Sequence, residues 1–247
     1  MTEPQVMLSE NASSLATDTA QRALGVLDAA IRQRGEAHLV VTGGGILEST
    51  LAAMAQPDAI QWSRVHAWWG DERYVPANSD ERNDRPAMSL LFDKVPVDPA
   101  HVHRMPASDA GFGDDAEAAA DSYAAELAGA ADGPDVPAFD VVLLGVGPDG
   151  HCASLFPGHP GTRVTDASVI AVHDSPKPPP TRLSLTFPAL DAGRQVWFVV
   201  SGEGKADAVA RALGGAAREE VPSAGPRGRD ATLWLVDREA ASKLTSQ

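Results

Sequence analysis

Residues 139–158, FDVVLLGVGPDGHCASLFPG, contain the features that decide the fold. They begin with an apolar run, residues 139–146, in which Asp140 is the only charged residue. This length and β-branched content predict an interior parallel strand, because a strand buried on both faces need not alternate between apolar and polar residues. The glycines that follow predict a tight turn carrying Asp149 and His151 to the carboxyl end of the strand, where open α/β sheets bind ligands.

Gly145, Gly147 and Gly150 also match the G-x-G-x-x-G pattern of dinucleotide-binding sites. That fingerprint requires a helix to begin at the turn, so that the pyrophosphate rests on the helix N-terminus. Here two prolines and two glycines fall within residues 151–161, which leaves room for barely one helical turn. The pattern therefore does not favour nucleotide binding.

Composition limits the class of protein. The chain has 247 residues, 43% of them hydrophobic, and no linker-like tract, so we expect one domain spanning residues 1–247. No apolar run approaches the ~20 residues of a membrane span, and the N-terminus lacks the pattern of a signal peptide. The lone cysteine, Cys152, excludes an intramolecular disulfide, and we expect a cytoplasmic protein.

The net charge of −14 is concentrated in one part of the chain. Residues 105–162 include ten Asp or Glu and no Lys or Arg. Nucleic-acid binding is not expected, because it needs a basic face that neutralises phosphates. If the substrate is an anion, the cations that bind it must converge in a cleft against an unfavourable overall field.

Strand and helix patterns alternate along the chain, which predicts an α/β fold with an open, mainly parallel, doubly wound (Rossmann-like) sheet and helices on both faces. Besides the strand at 139–146, strands are predicted at residues 38–42, 65–69, 168–172, 182–187, 195–201 and 232–236. Helices are predicted at residues 14–34, 46–55, 83–92 and 114–129, from the turn at residues 202–205 through Leu213, and in the final residues.

Three glycines, Gly43, Gly44 and Gly45, separate a predicted strand from a predicted helix. Their successive N–H groups at a helix N-terminus suit a phosphate or another oxyanion. The alternative is a tight turn that only needs a positive φ, although a single glycine would serve that purpose. Lys205 lies in the first turn of another predicted helix, where the dipole disfavours a cation unless an anion binds beside it.

Two arginines are further candidates for binding an anion. Arg73 follows Asp71 and Glu72 directly after a predicted strand, and either carboxylate could hold its planar guanidinium against a phosphate. Three consecutive charges are, however, more typical of a solvated loop with an ordinary surface ion pair. Arg182 follows a stiff proline-rich segment, residues 176–180, which delivers it in a fixed position.

Histidines are the candidates for proton transfer and for metal binding. A histidine, with an unperturbed pKa of about 6.5, can take a proton from water near neutrality, and at position 151 Asp149 could orient it. His101 and His103 lie on the same side of a predicted strand, a spacing that could suggest metal. No cysteine or carboxylate cluster accompanies this pair, so we interpret them as ordinary strand histidines.

These motifs resemble the 6-phosphogluconolactonase family of the glucosamine/galactosamine-6-phosphate isomerase superfamily. The resemblance rests on Gly43 to Gly45, WGDER at 69–73, GVGPDGH at 145–151, SLFPG at 154–158, Arg182 with Thr186, and Gly204 with Lys205. It implies hydrolysis of 6-phospho-D-glucono-1,5-lactone to 6-phosphogluconate in the oxidative pentose phosphate pathway, without a metal or other cofactor. The implied fold is the one shared with glucosamine-6-phosphate isomerases.

The resemblance also implies roles for individual residues. His151 is the implied base that activates water against the C1 carbonyl, and Asp149 assists it. The implied contacts with the phosphate or sugar are Gly43, Gly44, Gly45, Asp71, Arg73, Asn83, Arg182 and Lys205. Residues 82–85, Arg-Asn-Asp-Arg, depart from the expected Ser-Asn-Tyr-Arg, so Asn83 carries over and Arg85 is left unassigned.

Two other functions remain as alternatives. One is the isomerisation and deamination of glucosamine 6-phosphate, but that branch tends to have Asp-Glu-Tyr in place of Asp71-Glu72-Arg73, and Phe-Asn-Glu-Pro in place of residues 154–157. The other is a non-catalytic sugar-phosphate sensor, which would not need both Asp149 and His151.

Overall fold

The structure, a computed structural model, describes residues 2–131, 133 and 135–244. In chain order its strands and α-helices are β1 (Pro4–Ser9), α1 (Ala12–Arg34), β2 (Ala37–Val41), α2 (Gly45–Met54), β3 (Val65–Trp69), β4 (Asp71–Arg73), α3 (Asp84–Leu90), β5 (Val102–His103), α4 (Ala116–Gly129), β6 (Val141–Leu144), β7 (Val169–Val172), β8 (Arg182–Leu185), α5 (Phe187–Leu190), β9 (Gln195–Val200), α6 (Ala206–Leu213) and β10 (Ala231–Asp237).

Seven strands form a parallel sheet in the order β1-β10-β9-β6-β2-β3-β5. From β2 the chain proceeds to β3 and β5 on one side, and it then returns to β6, β9 and β10 on the other. The winding therefore reverses between β2 and β6, and a crevice opens at the carboxyl ends of these two strands. The predicted open, mainly parallel, doubly wound sheet is confirmed.

The organising strand is shorter than predicted. All four residues of β6 are buried, as expected for an interior parallel strand. The strand was predicted to begin at residue 139, but it begins just after Asp140. The buried Asp140 carboxylate accepts a hydrogen bond from the His38 backbone N–H at 2.9 Å and pairs with Arg34. The one charge in the apolar run thus has partners, and it joins the entrance of β6 to β2 and α1.

The long first helix is confirmed, and its ends have clear local causes. Asn11 and Ser14 form a capping box at its N-terminus. At its C-terminus Gly35 has a φ of 87°, and its N–H donates to the Ile31 carbonyl. This left-handed cap is why the helix ends where glycine appears in the sequence.

A second, antiparallel sheet with the order β4-β8-β7 was not predicted. Its strand β4 follows β3 after a single residue, Gly70, so this sheet lies at the carboxyl edge of the large one. The expectation of a solvated loop at residues 71–73 is therefore wrong, and Glu72 is fully buried. Pairing places Arg73 opposite Arg182, which brings two predicted anion-binding residues together.

Glu72 is buried because its carboxylate organises the adjoining chain. Burial raises its pKa to about 7, with the charge of Arg82 opposing the rise. One oxygen accepts from the backbone N–H groups of Arg73 and Asn83, at 2.7 and 2.6 Å, and the other accepts from Asp84. Glu72 therefore fixes the backbone around Arg73. The sequence suggested instead that its carboxylate would hold the Arg73 guanidinium.

Three further features differ from the predictions. The edge strand β1 was not foreseen, and residues 238–243 form turns where a final helix was expected. The acidic helix α4 is not purely a surface helix, because Tyr123 and Leu127 on one side of it are fully buried.

In the part of the chain that the structure describes, no helix combines the length and apolarity needed to cross a bilayer.

Four imidazoles form a histidine cluster: His38, His66 and His103 lie on the neighbouring strands β2, β3 and β5, and His101 lies in the turn just before β5. The prediction that His101 and His103 lie on one strand is therefore wrong. The His66 ring stacks on His38 and His101, with ring centroids 4.7 and 3.8 Å apart. Burial, followed by repulsion from His38 and His101, lowers the pKa of His66 to about 4. His66 is therefore neutral at neutral pH, and the cluster lies near the amino ends of the strands, where only His38 is buried.

This cluster should make folding sensitive to acid. Between about pH 6.5 and pH 4 the unfolded chain binds a proton at His66 that the folded chain does not, so stability falls as pH falls through this window. Replacing His66 by Gln should reduce the loss between about pH 7 and pH 4.5 by about 2 kcal/mol, measured by urea unfolding. The matched variant His173→Gln, at a half-exposed histidine, should leave the loss unchanged; equal effects of the two substitutions would contradict this assignment.

Candidate active site

A cleft of about 580 Å³ opens at the carboxyl ends of β2 and β6, beside the small sheet. This volume suits a small-molecule ligand. Segments distant in the chain converge on it, and its lining includes Gly43, Gly44, Gly45, Asp71, Arg73, Asn83, His151, Arg182 and Lys205. Asp149 is the one predicted site residue outside this lining, and it contacts His151.

The central contact joins His151 and Asp149. His151 Nδ1 lies 2.6 Å from Asp149 Oδ1. Since an ionised carboxylate only accepts, Nδ1 carries a proton, so in the neutral imidazole Nε2 has the lone pair. Burial opposes the charge of Asp149, but the hydrogen bond and charge of His151, with the charge of Lys177, hold its pKa well below the usual range. The pair is thus a histidine base oriented by a carboxylate.

Gly147 makes room for this histidine. A Cβ atom at this position would overlap with the His151 ring and with the Asp149 carboxylate. The turn is closed by two hydrogen bonds of 2.9 Å, from Gly147 N to His151 O and from Gly150 N to Gly147 O. Extended chain and turns follow, with no helix before residue 160, so the helix that a dinucleotide site requires is missing here.

The glycines after β2 present backbone donors to the cleft. Gly44 precedes α2 with a φ of 128°, and no side chain caps this helix. The first N–H groups of a helix have no partner within it, so they can bind an anion. Gly43 is needed for a different reason, because a Cβ there would overlap with the Asn83 carboxamide. The predicted oxyanion site is therefore geometrically available.

Asp71 and Asn83 are held in the wall of the cleft. Asp71 accepts a hydrogen bond from Ser154 Oγ at 2.7 Å, and Asn83 Nδ2 donates to the Asp71 backbone carbonyl at 3.1 Å. These contacts join β4, the chain before α3, and the segment after His151. Both side chains are buried, and their positions are therefore fixed before any ligand arrives.

Arg73 reaches the cleft and forms no ion pair with any residue that the structure describes. Its Nη1 donates to the Glu81 carbonyl at 2.6 Å, while its Nε is buried and has no partner among the described residues. The predicted clamp by Asp71 or Glu72 is absent from this arrangement. An unpaired buried donor is costly, so a ligand that accepts from Arg73 would recover that cost.

Arg182 and Lys205 are partly committed to the protein itself. The Arg182 guanidinium donates through Nε and Nη2 to the carbonyls of Lys177, Pro178 and Pro179, at 3.1–3.3 Å. Lys205 Nζ donates to the Val146 carbonyl at 2.8 Å. Burial lowers the pKa of both groups, so each would gain from a nearby anion.

Sequence reasoning missed one residue of this site. Lys177 Nζ lies 3.4 Å from Asp149 Oδ1 and 3.1 Å from His151 Nδ1. Lys177 is the one cation within the proline-rich segment 176–180, and this could have marked it. From the sequence we interpreted that segment only as a rigid spacer.

Other candidates lie elsewhere. Arg85 is exposed, pairs with Asp80 at 3.2 Å and does not line the cleft. Arg82 is buried and donates to Asp84 and to the Met105 carbonyl. Within residues 2–131, 133 and 135–244, no group of three or more His, Cys, Asp or Glu side chains is arranged to hold a metal ion.

Comparisons with known proteins identify the family and the fold. The family profile described as glucosamine-6-phosphate isomerases/6-phosphogluconolactonase matches residues 10–234. A 6-phosphogluconolactonase from Streptomyces coelicolor is 51% identical, over 98% of this chain and 95% of its own length.

Two solved structures share the fold. The 6-phosphogluconolactonase of Thermotoga maritima superposes with a TM-score of 0.83 at 27% identity, covering 95% of this chain and all of its own. A monomeric glucosamine-6-phosphate deaminase superposes with a TM-score of 0.78 at 21% identity, covering 96% of this chain and 99% of its own. The second likeness concerns the fold alone.

The fit between Gly147 and His151 can be tested directly. Gly147→Ala should displace the imidazole and break its hydrogen bond to Asp149, because the new methyl group overlaps with the ring. NMR should show loss of the downfield His151 Nδ1 proton signal in a chain that remains folded.

The control is Gly145→Ala in the same turn, where a Cβ would lie 3.5 Å from the nearest atom, an ordinary contact. This variant should retain the Nδ1 signal. An unchanged signal in Gly147→Ala would show that the ring does not occupy the described position.

Proposed function

The chain belongs to the glucosamine-6-phosphate isomerase/6-phosphogluconolactonase family, and we propose that it hydrolyses 6-phospho-D-glucono-1,5-lactone to 6-phosphogluconate, a step of the oxidative pentose phosphate pathway. The observation that carries this proposal is the Asp149–His151 pair beside a cleft lined by cationic side chains and a free helix N-terminus. Hydrolysis of a phosphorylated lactone needs both a base to activate water and an anion-binding site for the phosphate. We expect the reaction to occur in the cytoplasm, within one domain.

The proposed chemistry begins at His151 Nε2, which has no hydrogen-bond partner among the described residues. Nε2 takes a proton from water while the water oxygen attacks C1 of the lactone, and a tetrahedral oxyanion forms. The C1–O5 bond then breaks, and the imidazolium returns the proton to the departing ring oxygen. Asp149 stabilises the imidazolium between these steps, and the new carboxylic acid loses its proton to solvent.

Only a moderate lowering of the barrier is needed, since a lactone is an activated ester. Positioning supplies much of it, because a bound water and a bound carbonyl react as if in one molecule. We assign the phosphate to Arg73, Lys205 and the N–H groups of Gly43 to Gly45, which surround the same cleft. Asp71, Asn83 and Arg182 would then contact the sugar or shape the cleft around it.

The related deaminase reaction requires a different test, because the two activities share a fold. The relatives that match most of this chain at about half identity are named as lactonases, which supports the lactonase. Glucosamine 6-phosphate should therefore yield no ammonia. A non-catalytic sensor would bind 6-phosphogluconate and show no turnover.

The function is tested with freshly generated 6-phosphogluconolactone, by following acid release above the spontaneous rate. The purified protein should accelerate hydrolysis equally with and without a chelator. His151→Ala should reduce kcat by about 10²–10⁴-fold, the usual contribution of a general base.

His173→Ala serves as the matched control, because this histidine is half exposed and pairs with Glu117 away from the cleft. It should retain full activity. If the wild-type protein does not turn over the lactone, the proposed function is wrong; if His151→Ala stays fully active, the base is another group.

A further inference from the structure

Lys177 stands against the base pair of the site. It lies between β7 and β8, and its Nζ is 3.1 Å from His151 Nδ1 and 3.4 Å from Asp149 Oδ1. Its side chain remains 39% exposed at the edge of the cleft, of which it forms part of the lining. An ammonium, a carboxylate and an imidazole therefore share one small volume.

The donors and acceptors in this trio allow one arrangement. A lysine ammonium only donates, and Nδ1 must carry a proton because it lies 2.6 Å from a carboxylate oxygen. Lys177 therefore hydrogen-bonds to Asp149 and only abuts the imidazole. Its effect on His151 is one of charge, and that charge lies beside Nδ1, away from Nε2, the nitrogen that accepts the proton from water.

The charges of Asp149 and Lys177 act on the imidazole in opposite directions. A carboxylate alone favours the imidazolium, which has no lone pair to accept a proton from water. A cation at similar distance disfavours it. With both present, Asp149 orients the ring by its hydrogen bond and still stabilises the imidazolium during the reaction, while part of its electrostatic pull is offset by Lys177.

The fold holds Lys177 in this place. Ser175 Oγ accepts from the Lys177 N–H and donates to its carbonyl, at 3.3 and 2.9 Å. Arg182 Nη2 donates to the same carbonyl at 3.2 Å and to that of Pro178 at 3.1 Å. The prolines that follow have few conformations to lose, so the segment is preorganised.

Other charged groups near the ring are accounted for. Lys205 Nζ is hydrogen-bonded to the Val146 carbonyl. Burial lowers the pKa of Lys205, and the nearby charge of Lys177 lowers it further. The Arg182 guanidinium and the His151 imidazole both pack against the Phe156 ring, at 5.6 and 4.8 Å from its centroid, and Arg182 donates its hydrogen bonds to the carbonyls of residues 177–179. Of these cations, only Lys177 contacts both members of the pair.

We propose that Lys177 is a positioning residue that offsets the charge of Asp149, so that His151 stays in its neutral, proton-accepting form at lower pH. This role rests on the proposed function, since it concerns the base of that reaction. The alternative role for a lysine at the edge of the cleft is to bind the phosphate of the substrate.

The test is the pH dependence of kcat/KM for lactone hydrolysis, corrected for spontaneous hydrolysis. Lys177→Met should move the acidic limb to higher pH by about one unit, and so reduce the rate about tenfold on that limb, because the Asp149 charge is no longer offset. The rate on the plateau should stay within a few-fold of wild type. Lys177→Arg should restore the wild-type limb.

Lys94→Met is the matched control, at an exposed lysine remote from the cleft, and it should change nothing. A rise in KM at every pH without movement of the limb would assign Lys177 to substrate binding and overturn the proposal.

An NMR titration of the His151 ring in the substrate-free protein separates this proposal from the proposed function. The midpoint should move to higher pH in Lys177→Met even if the lactone proves to be the wrong substrate. An unmoved midpoint would contradict the offset of charge, whatever the protein hydrolyses.

Discussion

The site depends on the hydrogen bond between Asp149 and His151. It fixes the ring, assigns the proton to Nδ1, and leaves Nε2 as the only nitrogen that can accept. Everything around it serves this geometry: a glycine whose lack of a Cβ admits the ring, a phenylalanine packed against it, and a lysine beside the carboxylate. The turn itself begins where a fully buried strand ends, so a rigid support positions the base.

The small sheet explains how an acidic protein can offer a cationic cleft. The net charge is −14, yet Arg73 and Arg182 are paired across β4 and β8, with Lys177 just before β8 and Lys205 before α6. Burial lowers the pKa of Arg182 and Lys205, which means that the charged forms are poorly solvated. Such groups gain more from an anionic ligand than exposed cations would, because in the cleft their charge is screened less by solvent.

Much of this arrangement could be predicted from the sequence. The buried strand at β6, the glycine turns after β2 and β6, and the helix ended by Gly35 are local features with local physical causes. Because parallel strands align their carboxyl ends, residues as distant as Gly43 and Lys205 could be expected at one edge, and both line the cleft.

What could not be predicted depends on pairing between distant segments. Nothing in residues 71–73 alone shows that they pair with β8, so a buried strand resembled a solvated loop. Lys177 was missed for the same reason, since its importance comes from the position of Asp149, 28 residues away in the chain. The edge strand β1 is stabilised by β10, from the other end of the sequence.

A crystal structure of the protein with 6-phosphogluconate bound tests the central claim most directly. We predict that the C1 carboxylate lies within hydrogen-bond distance of His151 Nε2, while the phosphate accepts from Arg73, Lys205 or the N–H groups of Gly43 to Gly45. A ligand bound with its phosphate at His151, or with C1 remote from Nε2, would contradict the assignment of His151 as the base.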